Sequence, residues 1–163
     1  MAVSNLKAEL QKYGKLYKEK FKSQLKSDDT YASGDLSRSV KYKTSSTDSY
    51  SELSLLADSY IEQISEGRRK GVVPSSTKIE RWLRIKGIKP DVRMTKGSDD
   101  YKIKKLAFVI ARSIASRGMI KRYGFKGTNI IDFVYNSLAE QMGNDLFEAY
   151  KIDLEAQLKE QVK

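Results

Sequence analysis

The sequence predicts an α+β fold: a mostly helical single domain with a long N-terminal helix, a small antiparallel β-hairpin and a helical C-terminal tail. Apolar residues recur at intervals of three and four along most of the chain, which is the period of an amphipathic helix. They alternate with polar residues only between residues 36 and 55, which is the period of a half-buried strand. The length of 163 residues fits one domain of ordinary size.

The N-terminal segment, residues 3–26, is predicted to form a long helix. Its apolar side chains lie three or four residues apart and form one stripe: Leu6, Leu10, Tyr13, Tyr17, Phe21 and Leu25. Ser4 and Asn5 suit the N-cap position, and Gly14 within the pattern allows a bend or a close contact. A narrow stripe rich in tyrosine is typical of a helix that packs on a core rather than one that lies on a membrane surface.

A β-hairpin is predicted after this helix. A period-two pattern over Ser37–Lys43 indicates a first strand, Ser45–Ser49 has the composition of a turn, and Tyr50–Leu55 alternates as a second strand. An isolated two-stranded hairpin is only marginally stable, so it must pack on helices or pair with another chain. Its edge is therefore a candidate assembly surface.

The rest of the chain is predicted to be helical. A glycine marks the end of each of three helices: Asp58–Glu66 with Gly67, Thr77–Lys86 with Gly87, and Tyr101–Arg117 with Gly118. The final helical pattern is interrupted near Gly143, where Asn144 can cap a second, more acidic piece. We therefore expect a single domain over residues 1–143 and an acidic helical extension over residues 144–163.

Four large side chains on these helical stripes are candidate core anchors: Tyr60, Trp82, Ile110 and Ile114. For Trp82, the only tryptophan, a base-stacking platform is the alternative.

The sequence lacks the residues that most enzymes and metal sites use. It has no Cys and no His, which excludes thiolate nucleophiles, thiolate metal sites and histidine general bases. Its paired carboxylates, Asp28-Asp29 and Asp99-Asp100, are adjacent and not separated as a glycosidase or a two-metal site requires. The segment Gly124–Thr128 does not have the spacing of a phosphate-binding loop. We expect neither catalysis nor a cofactor or metal.

The middle of the chain is strongly basic. The net charge is +10, but residues 67–126 alone carry eighteen Lys or Arg and four acids, and the remainder has a net charge of −4. The candidate interaction surface comprises Arg68, Arg69, Lys70, Arg81, Arg84, Arg117, Lys121 and Arg122. Two interpretations remain open: an electropositive surface for DNA or an acidic protein, or a set of solvated helix faces.

No targeting or membrane segment is predicted. The longest apolar run, Leu106–Ala111, is far shorter than a membrane span, and the N-terminus has no apolar signal region. These features, with the absence of Cys, predict a soluble protein made in the cytoplasm.

Several segments carry motifs in a recognisable order. Ser33–Val40 fits the pattern Ser-Gly-x-Leu-x-x-Ser-Ile/Val, and Tyr60 through Glu66-Gly67 leads into a basic loop. A Pro and a short helix follow, with Ile79, Trp82 and a Lys86-Gly87-Ile88 ending. An Ala/Ile-rich helix comes next, over Ala107–Gly118, and a Gly-Thr-Asn entry opens the next helix at Gly127–Asn129. In this order, over about residues 30–138, the chain resembles bacteriophage head–tail connector and tail-completion proteins of the gene-10-like family.

The resemblance implies a non-enzymatic structural virion protein at the neck of a tailed phage. Such proteins form homo-oligomeric rings around the DNA channel, between portal or adaptor proteins and the tail. The implied location is the head–tail junction of the virion, after synthesis in the bacterial host cytoplasm. The alternative is a basic DNA-binding protein that uses residues 67–126 on phosphates, and packaged DNA is also an expected non-specific contact of a neck ring.

Overall fold

Helices dominate the structure. The computed structural model describes residues 5–28, 33–47, 50–91 and 97–161, and residues 121–123 by their backbone alone. The chain is 69% helical, with six helices and one two-stranded antiparallel sheet in the described part, so the predicted α+β fold is confirmed. The elements in chain order are α1 (Asn5–Ser27), α2 (Asp35–Ser39), β1 (Lys41–Ser46), β2 (Ser51–Leu56), α3 (Tyr60–Glu66), α4 (Ser76–Ile85), α5 (Asp99–Tyr123) and α6 (Ile130–Gln161).

The contacts between these elements form two compact units. The first unit contains α1, α2, β1, β2 and α6, and the second contains α3, α4 and α5. The two ends of the sequence therefore meet in one unit, while the second unit is formed mainly by the internal stretch Ser59–Asn129. The domain boundary that the sequence suggests near residue 143 stays a prediction.

In the first unit, α1 packs antiparallel to α6. The stripe of apolar residues on α1 is buried from Leu10 to Leu25, and Tyr13 and Tyr17 are at most 2% exposed. The Tyr17 hydroxyl donates to the Tyr135 carbonyl at 3.2 Å, and the Tyr13 hydroxyl donates to Asp145 Oδ2 at 2.7 Å. The predicted N-terminal helix and its inward face are confirmed.

A carboxylate from α6 caps the N-terminus of α1. The backbone amides of Asn5 and Leu6 donate to the two carboxylate oxygens of Asp153 at 2.9 and 3.0 Å, and the Asn5 side-chain amide donates to the same group. These amides have no partner within their own helix, and a negative charge at this position is favourable. The predicted N-cap Ser4 lies outside the described residues.

A second α6 carboxylate, Asp145, forms a small polar cluster with α1. Lys12 Nζ lies 3.0 Å from Asp145 Oδ2, which also accepts the Tyr13 hydroxyl bond. These two hydrogen bonds, with Tyr13 the larger cause, hold the pKa of Asp145 below its usual range. Burial, reinforced by the neighbouring carboxylate, raises the pKa of Tyr13 to about 12.

The hairpin packs against α1 by way of a glycine. Strands β1 and β2 pair antiparallel, from Lys41 opposite Leu56 to Ser46 opposite Ser51. The Tyr42 ring lies so close to Gly14 that a Cβ there would be 2.3 Å from Tyr42 Cδ2. Gly14 therefore serves the close contact that the sequence suggested.

The predicted start of the first strand is wrong, because residues 35–39 form the short helix α2. Leu36 and Val40 lie four residues apart, and this spacing satisfies a helical turn as well as a strand. Gly34, at φ 76°, turns the backbone just before α2, and Val40 is buried at its end. Of the predicted turn, Asp48 and Ser49 lie outside the described residues.

The interruption predicted near Gly143 is also wrong. Helix α6 runs unbroken from Ile130 to Gln161. A single glycine costs a helix about 1 kcal/mol relative to alanine, and this does not end a helix that packs over most of its length. No helix in the described part of the chain is long and apolar enough to span a membrane.

In the second unit, α4 packs against α5 through small side chains. Ala107, Ala111 and Ile114 of α5 and Leu83 of α4 are buried, while Ile110 is half-buried. Two candidate core anchors are not in this core: Tyr60 is 56% exposed and Trp82 is 39% exposed. The inward positions of their short helices are taken by Ile64 and Leu83 instead.

Two glycine substitutions in the first unit should have opposite effects on the free energy of unfolding. Gly14→Ala should lower it by about 1–3 kcal/mol, because overpacking against Tyr42 outweighs the gain in helix propensity. Gly143→Ala, the matched control, meets nothing within 4 Å and should raise it by about 0.5–1 kcal/mol. Urea denaturation of the three proteins measures both effects. A stabilising Gly14→Ala would contradict the close contact.

Replacement of Asp145 should alter the acid stability of the chain. Because the pKa of Asp145 in the folded chain lies below the usual aspartate value of 3.8, the stabilisation by this carboxylate is complete above that value and is lost as the pH falls through the folded pKa. The difference in Tm between wild type and Asp145→Asn should be largest near pH 7 and should shrink below about pH 4. The control Glu148→Gln, whose carboxylate lies 3.8 Å from Lys151 on the surface of the same helix, should show little difference.

Candidate functional site

A basic loop, residues 67–71, connects α3 towards α4 and contains three of the predicted surface cations. Its backbone is fixed to α5 by two hydrogen bonds. The Gly71 amide donates to the Ala115 carbonyl at 2.9 Å, and the Met119 amide donates to the Arg68 carbonyl at 2.8 Å. The loop is thus held at both ends, while the side chains of Arg69 and Lys70 are exposed.

The second bond exists because α5 leaves helical geometry at Gly118. This residue has φ 73° and ψ 169°, a conformation that essentially only glycine adopts. A Cβ at Gly118 would also lie 2.9 Å from both the Arg68 carbonyl oxygen and the Lys70 nitrogen. The sequence predicted the end of the helix here. The structure instead has a kink, followed by a further helical stretch to Tyr123.

A second close backbone approach involves residues 124–129, which follow α5. A Cβ on Gly127 would lie 2.2 Å from the Ser65 carbonyl oxygen. The amides of Thr128 and Asn129 donate to the carbonyls of Ile64 and Ser65, both at 2.9 Å. Carbonyls at the C-terminal end of α3, which have no partner within that helix, are therefore satisfied by this segment. We refer to residues 64–71, the kink at Gly118 and residues 124–129 together as the glycine junction.

The Arg68 side chain stabilises the loop by hydrogen bonds to residues on either side of it, unlike the exposed side chains of Arg69 and Lys70. Its guanidinium donates to Gln63 Oε1 at 2.9 Å and to the Val72 carbonyl at 3.0 Å. These bonds join the end of α3 to the residue after the loop. Arg68 therefore acts as a positioning residue for Arg69 and Lys70.

The remaining predicted cations differ in their surroundings. Arg84 forms ion pairs with Glu80 at 2.9 Å and with Asp100, and Lys104 lies 2.8 Å from the same Asp100 carboxylate. The bonds from Lys104 and then Arg84 hold the pKa of Asp100 below its usual range. Arg84 is thus locally neutralised. Arg81 and Arg117 are exposed, and the side chains of Lys121 and Arg122 lie outside the described residues.

Beside the glycine junction lies an open apolar cleft of about 320 Å³. Its walls are formed chiefly by Tyr60, Ile64, Trp82, Ile88, Met119 and Phe125, with Gln63 and Lys86 as the polar lining. Tyr60 and Trp82, which the sequence predicted as core anchors, thus both line this cleft. Desolvation raises the pKa of the Tyr60 hydroxyl, and the charge of Arg68 partly opposes this.

The positive charge of the sequence coincides with the second unit. Residues 59–129, which contain α3, α4 and α5, carry eighteen bases and six acids. The other 92 residues carry thirteen bases and fifteen acids. This stretch, the main part of the second unit, therefore has a formal charge of +12, and the rest of the chain has −2.

The cleft and the cations around it are suited to binding another molecule. In the described part of the chain, no three His, Cys, Asp or Glu side chains are placed to hold a metal ion. The cleft offers apolar and aromatic contact, and its surroundings offer cations. The spacing of the glycines in the sequence is a partial signal for the glycine junction, but it does not indicate which stretches of backbone those glycines bring together.

Comparison with known proteins adds no relative. No family model, curated protein or solved structure matches the chain.

Substitution of Gly118 should release the basic loop. Gly118→Ala combines a glycine-only conformation with a backbone clash, whereas the control Gly124→Ala adds a Cβ at φ 70° with nothing within 4 Å. The backbone strain in Gly124→Ala should lower the free energy of unfolding by about 1 kcal/mol. Gly118→Ala, which adds the clash to the strain, should lower it by about 2–4 kcal/mol. Hydrogen exchange at the Gly71 and Met119 amides should accelerate more in Gly118→Ala than in Gly124→Ala. Equal exchange in the two variants would contradict the role of the kink.

Proposed function

We propose that this chain is a non-enzymatic structural subunit of the head–tail junction of a tailed bacteriophage, where copies form part of a ring around the DNA channel. The observation that carries the proposal is the division of the chain into a strongly basic compact unit and a nearly neutral one. A subunit with unlike surfaces suits an assembly in which each copy meets different neighbours.

The positions of the family-like segments support the proposal. Three of them, the Glu66–Gly71 loop, the end of the Ala107–Gly118 helix and the Gly127–Asn129 entry, meet in the glycine junction. The resemblance therefore rests partly on residues that contact each other. The glycines among them allow the close approach of the backbones in the glycine junction. Of the other two, Ser33–Val40 contains α2 and leads into the hairpin, and residues 74–88 contain α4.

Exposed apolar side chains also favour an assembling subunit. Val72 in the basic unit is 83% exposed and Phe147 on α6 is 66% exposed. Several further aromatic residues, among them Tyr60, Tyr101, Phe108 and Tyr150, are more than half exposed. Apolar surface of this kind is typical of regions that other molecules cover.

The second candidate function is DNA binding by the basic unit. It is favoured by one observation: the backbone at the Gly118 kink brings the exposed residues Arg69, Lys70 and Arg117 into one short region. A cluster of this kind neutralises phosphates without sequence preference.

Deletion of the gene from its phage should test the first function. We expect DNA-filled heads and unattached tails in electron micrographs, with infectivity restored when the gene is supplied in trans. Mass spectrometry of purified wild-type virions should detect the chain. Virions that lack the protein, or normal particles from the deletion, would overturn the proposal.

A gel-shift titration separates the two functions. A neck subunit should bind random duplex DNA weakly at about 150 mM salt, and the double variant Arg69→Glu/Lys70→Glu should change little. Tight binding that falls steeply with salt, and that this variant abolishes, would support the DNA-binding function instead. Lys15→Glu/Lys20→Glu is the matched control, because it changes the net charge equally on exposed α1 positions of the other unit.

A further inference from the structure

We propose that neighbouring copies of this chain join through two helix faces, the outer face of α6 on one copy and the outer face of α5 on the next. The inference rests on the proposed function and specifies which surfaces of the subunits would meet.

The outer face of α6 is an apolar stripe that nothing in its own unit covers. Four large side chains follow one another at intervals of three, four and four residues: Phe147, Tyr150, Leu154 and Leu158. They are between 41% and 66% exposed. Successive residues of a helix are rotated by about 100°, so Phe147 lies nearly opposite Asp145 and Ala149, which face α1. Contact with α1 therefore cannot cover this stripe.

The α6 stripe is bordered by exposed acids. Asp145 and Asp153 bind α1, but Glu140, Glu148 and Glu155 are exposed on the side that α1 leaves open. Lys151 and Lys159 are the basic residues in this part of the helix. The surface is thus apolar in the middle and negative at its border.

The outer face of α5 has the complementary character. Tyr101, Lys105, Phe108 and Arg112 follow at intervals of four, three and four, and all are exposed. The Arg112 guanidinium lies 5.8 Å from the centre of the Phe108 ring, so cation and aromatic form one surface. From Tyr101 to Arg117 the helix carries five bases and no acid. The part of the helix surface that carries Ala107, Ala111 and Ile114 is buried.

The two stripes match in length as well as in charge. Each spans twelve residues, or about 17 Å along its helix. An α5–α5 contact would oppose like charges, and so would an α6–α6 contact, whereas α6 on α5 pairs acids with bases around an aromatic and aliphatic centre. The occupant that fits each stripe is therefore the other stripe, on a second copy.

A contact between two different faces of identical copies can be repeated from one copy to the next. When α6 of one copy occupies α5 of the next, each copy still presents one unused face. Contacts of this heterologous kind generate closed rings or filaments and not isolated dimers. This is the assembly that a ring subunit requires.

Cysteine cross-linking tests the pairing directly, because the natural chain has no cysteine. The full chain with Val109→Cys and Lys151→Cys carries one thiol beside each stripe and leaves both stripes intact. A short bismaleimide linker should give a ladder of dimers, trimers and larger products. Each single variant should give almost none. The matched control, Val72→Cys with Lys151→Cys, places a thiol at an 83% exposed position of the same basic unit and should give no ladder.

Charge reversal then identifies the faces. In the two-cysteine background, Lys105→Glu/Arg112→Glu should reduce the ladder at least about tenfold, and the addition of Glu148→Lys/Glu155→Lys should restore it. Restoration also demonstrates that the reversed α5 variant folds.

Several outcomes would overturn the inference: cross-linked dimers from one single variant, an intrachain link, an equal ladder in the control, or no product at up to about 1 mM protein. The inference would also be overturned if Glu148→Lys/Glu155→Lys failed to restore the ladder. If virions contain the chain but the ladder fails, only this inference falls. If the ladder forms but virions lack the chain, the self-association stands and the proposed function falls.

Discussion

The second unit depends on the close backbone approach between the basic loop and the kink in α5. A Cβ at Gly118 would lie only 2.9 Å from the Arg68 carbonyl oxygen, and one at Gly127 would lie only 2.2 Å from the Ser65 carbonyl oxygen. Because both glycines lack a Cβ, three separate stretches of backbone exchange hydrogen bonds where they meet. The exposed cations Arg69 and Lys70, the structural role of Arg68 and the wall of the apolar cleft all follow from this contact.

The first unit depends on a different constraint, the pairing of α1 with a helix that begins more than a hundred residues later. Burial of the tyrosine stripe drives this contact, and two carboxylates of α6 give it polar anchors on α1. The acidic residues of the C-terminal region therefore have two kinds of environment. Asp145 and Asp153 bind α1, whereas Glu148 and Glu155 are exposed beside an apolar stripe.

The sequence patterns were most informative where one period held over many residues. The stripe from Leu6 to Leu25 and the small-residue stripe around Ala107 and Ala111 both form helices with those faces inward. The patterns failed where they were short. Leu36 and Val40 suit either a strand or a helical turn, and the structure forms the turn. Tyr60 and Trp82 lie on helical stripes, but each short helix places only one large apolar residue, Ile64 or Leu83, fully inside.

The sequence alone determined the fold class, the long first helix, the concentration of positive charge and the absence of cysteine and histidine chemistry. These properties follow from composition and local periodicity, which do not depend on what a segment contacts. Only the tertiary structure decided that α6 continues through Gly143, that Arg68 holds the loop while Arg69 and Lys70 are exposed, and that Asp153 caps a helix at the far end of the sequence. Each of these depends on residues distant in the chain, and their meeting is set by packing and backbone hydrogen bonds, which no local pattern encodes.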